Sequence, residues 1–262
     1  MATLAPTAGE LVRDWRRRRR FSQMDLAGDA DISTRHLSFV ETGRSSASRD
    51  VLHRLAERLA MPLRARNQLL AAAGFAAGYP ERPIEAPTLD CARRAVELVL
   101  KGHEPFPALA VDRHWQLVMM NDAVAPLLAG VDAALLAPPV NVLRLSLHPQ
   151  GLAPRIDNLG EWRAHLFERL SRQIDETGDA TLMALLEELH GYPSRAGTRP
   201  PTDLAGVAVP LRLRVEGDEP LSLISTTTVF GTPLDVTLAE IAIECFFPAD
   251  ERTRVALLER AG

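Results

Sequence analysis

Residues 22–43 read SQMDLAGDADISTRHLSFVETG, and their spacing constrains this 262-residue chain more than any other feature. Ser22 is placed as a helix N-cap, with Asp25 three residues on where a capping-box acid sits. Ser33 opens a second helix that ends at Gly43. Ala27 is small where two helices cross closely, Leu26 and Ile32 can enter a core, and Leu37 and Val40 anchor the second helix. Two short helices joined at a wide angle by a turn of about three or four residues make a helix-turn-helix. The turn residue four after Ala27 is Asp31 rather than the usual glycine. The departure is mild, because Asp tolerates the left-handed conformation.

The neighbouring segments extend this pattern. Leu11 and Trp15 share one face of a preceding helix, and Ser48 caps a helix with the stripe Val51, Leu52, Leu55 and Leu59. Pro62 starts a fifth helix that ends at Gly74. Five short helices therefore form an all-α head over residues 1–75. Residues 76–90, AAGYPERPIEAPTLD, carry three prolines, and a linker is expected over 76–89.

From residue 90 to 262 the periodicity changes. A helix is expected over Asp90–Lys101, then a hairpin of Leu109–Asp112 and Trp115–Met120. Helices follow near 122–129, 141–148 behind the cap Asn141, 159–176 and 180–190. Tyr192–Thr202 reads as a loop, and three strands follow at Val207–Val215, Leu221–Phe230 and Val236–Phe247. The last alternates, with Ile241, Ile243, Cys245 and Phe247 on one side and Glu240 and Glu244 on the other. The expected body is an α+β domain with an antiparallel sheet of about five strands and helices over one face.

Charge separates the two parts. Residues 1–79 hold 13 arginines against 8 acids, while residues 80–262 hold 17 basic groups against 26 acids. A basic head on an acidic body suits a polyanionic partner for the head alone. The run Arg16–Arg20 is weak evidence by itself, since five consecutive arginines encircle a helix. Cys91 and Cys245 are too few for a disulfide framework and read as two small buried side chains in a reducing compartment. No apolar run is long enough to span a bilayer and the N-terminus lacks a secretory stretch, so a cytoplasmic protein is expected. The body shows no GxSxG, HExxH, GxxxxGK[ST] or GxGxxG. Its histidines (His103, His114, His148, His165, His190) have no metal-ligand spacing. No catalytic site, cofactor or metal is expected.

The head resembles the Xre/Cro-type helix-turn-helix family over residues 9–74, through S-Q opening one helix and V-E-x-G ending the next. The resemblance implies that Ser33–Glu41 is a recognition helix lying in the major groove of double-stranded DNA. Thr34 and Arg35 then occupy positions that reach base edges, Arg35 being suited to guanine. Ser38 and Phe39 fall one turn later, with Phe39 either meeting a thymine methyl or packing. Gln23, Ser33 and Arg44 are the implied phosphate contacts.

In the body, Asn141–Trp162 concentrates Arg144, His148 and Arg155 among leucines. Arg144 and His148 are four apart and share a face if the helix continues. Facing inward, they would suit a ligand with a long tail and an anionic head; facing outward, they would pair with surface acids. The strings VDRHWQLVMMN, NVLRLSLHPQGLAPRIDNLGEWRAHL and STTTVFGTPLDVTLAEIAIECFFPAD, with STRHLSFVETGRS in the head, look like the MmyB-like transcription regulators. That resemblance implies a PAS-like ligand-binding domain behind the helix-turn-helix, with a fatty acid as a ligand type. Head-group candidates are Arg144, His148 and Arg155; tail candidates are Leu147, Trp162, Leu166, Leu170 and Phe230. Leu223, Thr226, Thr228 and Phe230 are expected on or near one side of the sheet. A homodimer on paired half-sites follows from the motif. The alternative is a body that only dimerises or docks another protein.

Overall fold

In the head, local capping sets where each helix begins. Thr7 accepts from the Glu10 backbone and Glu10 returns the bond, opening α1 (Ala8–Arg18) with a capping box. Ser22 and Asp25 do the same for α2 (Gln23–Asp29). Ser33 caps α3 (Thr34–Glu41), Ser48 caps α4 (Arg49–Arg58), and Pro62 stands at the N-cap of α5 (Leu63–Ala72). Asp31 takes φ 53° in the turn between α2 and α3, as the spacing requires, and Gly43 takes φ 72° after α3. Val12, Leu26, Leu37, Leu52, Leu55 and Leu59 are fully buried in one core. Gly9 makes the α1–α3 crossing possible: a Cβ there would lie 2.2 Å from the Val40 carbonyl oxygen.

The computed structural model describes residues 5–193, 209–215 and 219–260. The chain forms two compact units, residues 1–82 with 234–236, and residues 83–233 with 237–262. The second opens with α6 (Asp90–Gly102), β1 (Ala108–Val111) and β2 (Leu117–Met120). Helical pieces follow: α7 (Ala133–Leu136), α8 (Val142–Leu147), α9 (Leu159–Thr177) and α10 (Ala180–His190). Then come β3 (Leu211–Leu213), β4 (Leu221–Val229), α11 (Val236–Ala239), of which Val236 is counted with the first unit, β5 (Ala242–Pro248) and α12 (Glu251–Glu259). Among the described residues the strands form one antiparallel sheet in the order β2-β1-β5-β4-β3. This is the α+β body the sequence predicts.

Several expectations are corrected. Helices cover both faces of the sheet rather than one. Ala108, Ala110, Ile243 and Cys245 pack with Val96 and Leu100 of α6, while Val111, Leu211 and Leu223 pack with Trp162, Leu166 and Leu170 of α9 and with α10. Leu223 cannot share a face with Thr226, Thr228 and Phe230, because side chains alternate with period two. The register sets Thr226 opposite Cys245 and Thr228 opposite Ile243, and Phe230 joins the α6-side cluster. The expected strand from Val236 begins as α11 and becomes β5 only at Ala242. Cys91 is exposed; Cys245 alone is buried. The Tyr192–Thr202 loop from residue 194 on, and the start of the strand expected at Val207, lie outside the described residues.

Candidate functional site

The recognition helix candidate presents a clear outer face. Leu37 and Val40 point into the head, whereas Thr34 and Arg35 are exposed and Ser38 and Phe39 half-buried. The Arg35 guanidinium carbon lies 5.2 Å from the centre of the Phe39 ring. Ser33 Oγ accepts from the His36 backbone at 3.1 Å, fixing the helix start, and Arg44 stands exposed just beyond its end.

Behind that face lies a buried ionic network. Arg16 Nε and Nη2 donate to the two oxygens of Glu41 at 2.6 and 2.9 Å, and Gln23 Nε2 donates to Glu41 at 2.8 Å. Burial alone would raise the Glu41 carboxyl, but the bonds from Arg16 and Gln23 outweigh it and hold it below its ordinary value. Gln23, expected at a phosphate, thus has its amide nitrogen on Glu41. The Arg16–Arg20 run divides likewise: Arg16 turns inward, and Arg19 donates to the Leu59 carbonyl at 3.1 Å.

The body contains an apolar cavity of about 100 Å³ between the inner face of the sheet and α8–α9. Leu109, Leu117, Leu213, Leu223 and Phe246 supply the sheet wall, and Leu143, Trp162 and Leu166 the helical one. Trp115 closes it from the β1–β2 turn. This residue is held at φ 63°, a conformation that costs a bulky side chain roughly 1–3 kcal/mol. Its indole Nε1 donates to Gln173 Oε1 at 2.8 Å, and Gln173 Nε2 in turn donates to the Arg113 carbonyl.

Two charged side chains line this otherwise oily space, Arg169 from α9 and Glu244 from β5. Arg169 donates to Glu244 at 2.7 and 3.1 Å and to Thr227 Oγ1 at 2.9 Å, and its guanidinium stacks 4.9 Å from the centre of the Trp115 ring. Glu244 is 4% exposed. A buried pair of this kind must satisfy nearly all its hydrogen-bonding capacity to be tolerated. The Thr227 hydroxyl, which also donates to Glu244 at 2.9 Å, helps to do so.

Of the residues expected at a ligand, Trp162 and Leu166 line the cavity. The other candidates lie elsewhere. Arg144 is locked to Glu188 at 2.7 and 2.8 Å on the surface. Tyr192 donates to the same Glu188, and burial together with that carboxylate pushes its phenol up to about 12. The helix ends at Leu147, so His148 leaves the Arg144 face; its Nδ1 accepts from the Gln150 backbone and its ring meets Tyr192 edge-on. Arg155 donates to the carbonyls of Leu127 and Ala129. Leu147 and Leu170 are solid core away from the cavity wall, and Phe230 packs on the opposite face of the sheet.

Arg169 and Glu244 are absent from the sequence-level candidates. The signal for Arg169 was its position: it follows Trp162 and Leu166 at helical spacing on the inward stripe of α9. Glu244 stood among alternating strand residues with nothing to say that both faces were covered.

Comparison with known families settles the class. Residues 92–259 match the MmyB-like transcription regulator ligand binding domain, and residues 7–69 match a helix-turn-helix domain. The chain belongs to the MmyB-like transcription regulators. An MmyB-like regulator with this head is a ligand-responsive, DNA-binding transcription regulator in class. A comparison with curated proteins gives no match. The MmyB-like regulator is similar to the solved structure of an RNA-binding light-oxygen-voltage receptor at 13% identity, with a TM-score of 0.32. That alignment covers 96% of this chain and 62% of the receptor chain, so this chain spans less than two thirds of it. Among the described residues no helix is long and apolar enough to cross a membrane, and no group of three His, Cys, Asp or Glu could hold a metal ion.

Proposed function

We propose that this regulator works in the cytoplasm as a homodimer on paired half-sites of double-stranded DNA, and that its body binds a small apolar molecule with an acidic head, of the fatty-acid type. The observation that carries this reading is the cavity: apolar walls and, among its lining residues, one cation–anion pair, Arg169 with Glu244. Apolar walls with a few placed polar groups are the usual chemistry of a small-molecule site. Arg169 offers the fork geometry that a carboxylate recognises. A ligand acid group that enters protonated would donate to Glu244 and accept from Arg169, so that neither buried charge is stranded while the bond between α9 and the centre of the sheet is altered. The cavity volume suits a short acyl group or the end of a longer tail. Met120, which lines the cavity and is 41% exposed, stands where the remainder could pass outward.

The DNA half of the reading assigns base edges to Thr34, Arg35, Ser38 and Phe39, and phosphates to Ser33 and Arg44, with Gln23 orienting Glu41. A body that serves dimerisation alone draws on a different observation, the exposed Leu98 and Val99 of α6. Native mass spectrometry of the full chain, as purified and after organic extraction, separates the two. A dimer carrying an extractable mass of a few hundred daltons is expected. A dimer that stays ligand-free when offered carboxylic acids of graded chain length would overturn the sensor reading, and a monomer would overturn the dimer.

A further inference from the structure

The outer face of α3 holds a pairing that its neighbours do not explain. Phe39 is half-buried on the outer side of a short helix whose inward residues are Leu37 and Val40. Its ring is not part of the head core, which takes Ile32, Val51 and Phe75 as its partly buried margin. Arg35, one turn earlier and exposed, lies over that ring at 5.2 Å. Phe39 is neither taken into the head core nor fully exposed, so part of its ring stays open on the outer face of the helix. Its partner is a guanidinium, which an aromatic face attracts and orients.

We propose that Arg35 and Phe39 read DNA as one unit, selecting a guanine and a thymine on neighbouring base pairs. The proposal rests on the DNA-reading role of α3 given above. In the major groove guanine offers O6 and N7, which match the two donors of an arginine fork, while thymine offers its C5 methyl, the apolar group of the base edges. Arg35 is the fork and Phe39 the apolar surface. Stacking restricts the guanidinium before DNA arrives, so less rotamer freedom is lost on binding. Residues four apart rise about 6 Å along a helix, nearly two base-pair steps of about 3.4 Å, but the stacking of Arg35 back over the Phe39 ring at 5.2 Å draws the two tips toward adjacent pairs. Once docked, the ring covers the methyl group and shields the arginine–guanine bonds from water. Arg35 without Phe39 would read guanine alone.

The test is selection of half-sites from random duplexes with the full chain, followed by anisotropy titrations on the selected duplex. Selected sites are expected to hold a guanine beside a thymine. Replacing that thymine by deoxyuridine removes only the methyl group and should weaken the wild-type protein about fourfold, the worth of one buried methyl. Phe39→Ala should bind the thymine and uracil duplexes equally while keeping its guanine preference; Arg35→Ala should lose the guanine preference. Thermal unfolding of both variants checks that the head stays folded, and Phe39→Leu, which keeps apolar bulk, should keep part of the uracil effect. Selection of guanine with a random neighbour, or equal wild-type affinity for thymine and uracil duplexes, would overturn the paired reading and leave α3 as a reader. Failure to select any sequence would remove the DNA-reading role of α3 itself.

Discussion

Ser225 lies on β4 opposite Phe246, half-buried and on the wall of the cavity. Replacing it by valine adds apolar volume where the space is empty and favours the strand, since β-branched side chains suit a pleated surface. An empty cavity of about 100 Å³ costs a fold on the order of 2 kcal/mol in lost packing, at roughly 24 cal/mol per Å³. One added methyl group recovers about 0.8 kcal/mol of it. Ser225→Val should therefore raise the melting temperature of the ligand-free chain by about 2–3 °C. The same methyl group occupies ligand space, so affinity for a medium-chain carboxylic acid should fall about tenfold, the cost of overpacking a filled site. Calorimetry on the extracted protein reads the first effect, and an acid titration followed by tryptophan fluorescence reads the second, since Trp115 and Trp162 line the cavity. Stability and affinity should move in opposite directions. A lower melting temperature together with unchanged acid binding would refute the reasoning, because the space would then be neither empty nor the ligand's.

Other perturbations test other parts of the account. Arg169→Met leaves Glu244 buried without its cation and should cost about 3 kcal/mol in chemical denaturation, whereas Arg169→Met with Glu244→Leu should recover most of that loss. Equal losses in single and double variants would show that Glu244 is not left stranded. Glu41→Gln in the head should cost about 3 kcal/mol by stranding Arg16, read as early melting of the helical signal. The acid limb follows from the same bonds. The folded Glu41 carboxyl titrates below its ordinary 4.5. Its stabilisation is therefore complete above that value and is lost as pH falls through the lower, folded one. Wild type should lose head stability in that acid range and Glu41→Gln should lose less; parallel pH curves would remove Glu41 from the account. Arg35→Ala should cost about 1–3 kcal/mol on a selected site and little on random DNA, and an equal loss on both would make Arg35 a phosphate contact.

Much of the architecture was legible because local chemistry wrote it. Ser22, Ser33, Ser48 and Asn141 each cap a helix where their side chains predicted one. Asp31 adopts the left-handed turn that its spacing demanded. The strand runs 109–112, 115–120, 221–230 and the later part of 236–247 became sheet. The second face of the sheet escaped because α6 reads as an ordinary amphipathic helix, and nothing local says which surface it covers. The ligand site was half legible for the same reason. Trp162 and Leu166 share an apolar stripe that had to point inward. Arg144 and Arg155 were conspicuous as charges among leucines, yet they meet a surface carboxylate and turn carbonyls, which satisfy a cation more cheaply than a buried site does, while His148 accepts from the Gln150 backbone. Arg169 and Glu244 meet across 75 residues of sequence. Such a pair becomes visible only when the helix is laid on the sheet.

A ligand-responsive DNA-binding regulator requires that occupancy of the body change the affinity of the head for DNA. The most direct test of that requirement is the affinity of the full chain for a selected operator duplex, measured by anisotropy with the extracted protein and again at saturation with a medium-chain carboxylic acid. Saturation is verified independently by tryptophan fluorescence. The account predicts a change of about 5- to 150-fold in wild type, the usual range of allosteric coupling, and a much smaller one in Ser225→Val at the same acid concentration. Identical operator affinities for the empty and saturated wild-type protein would contradict it.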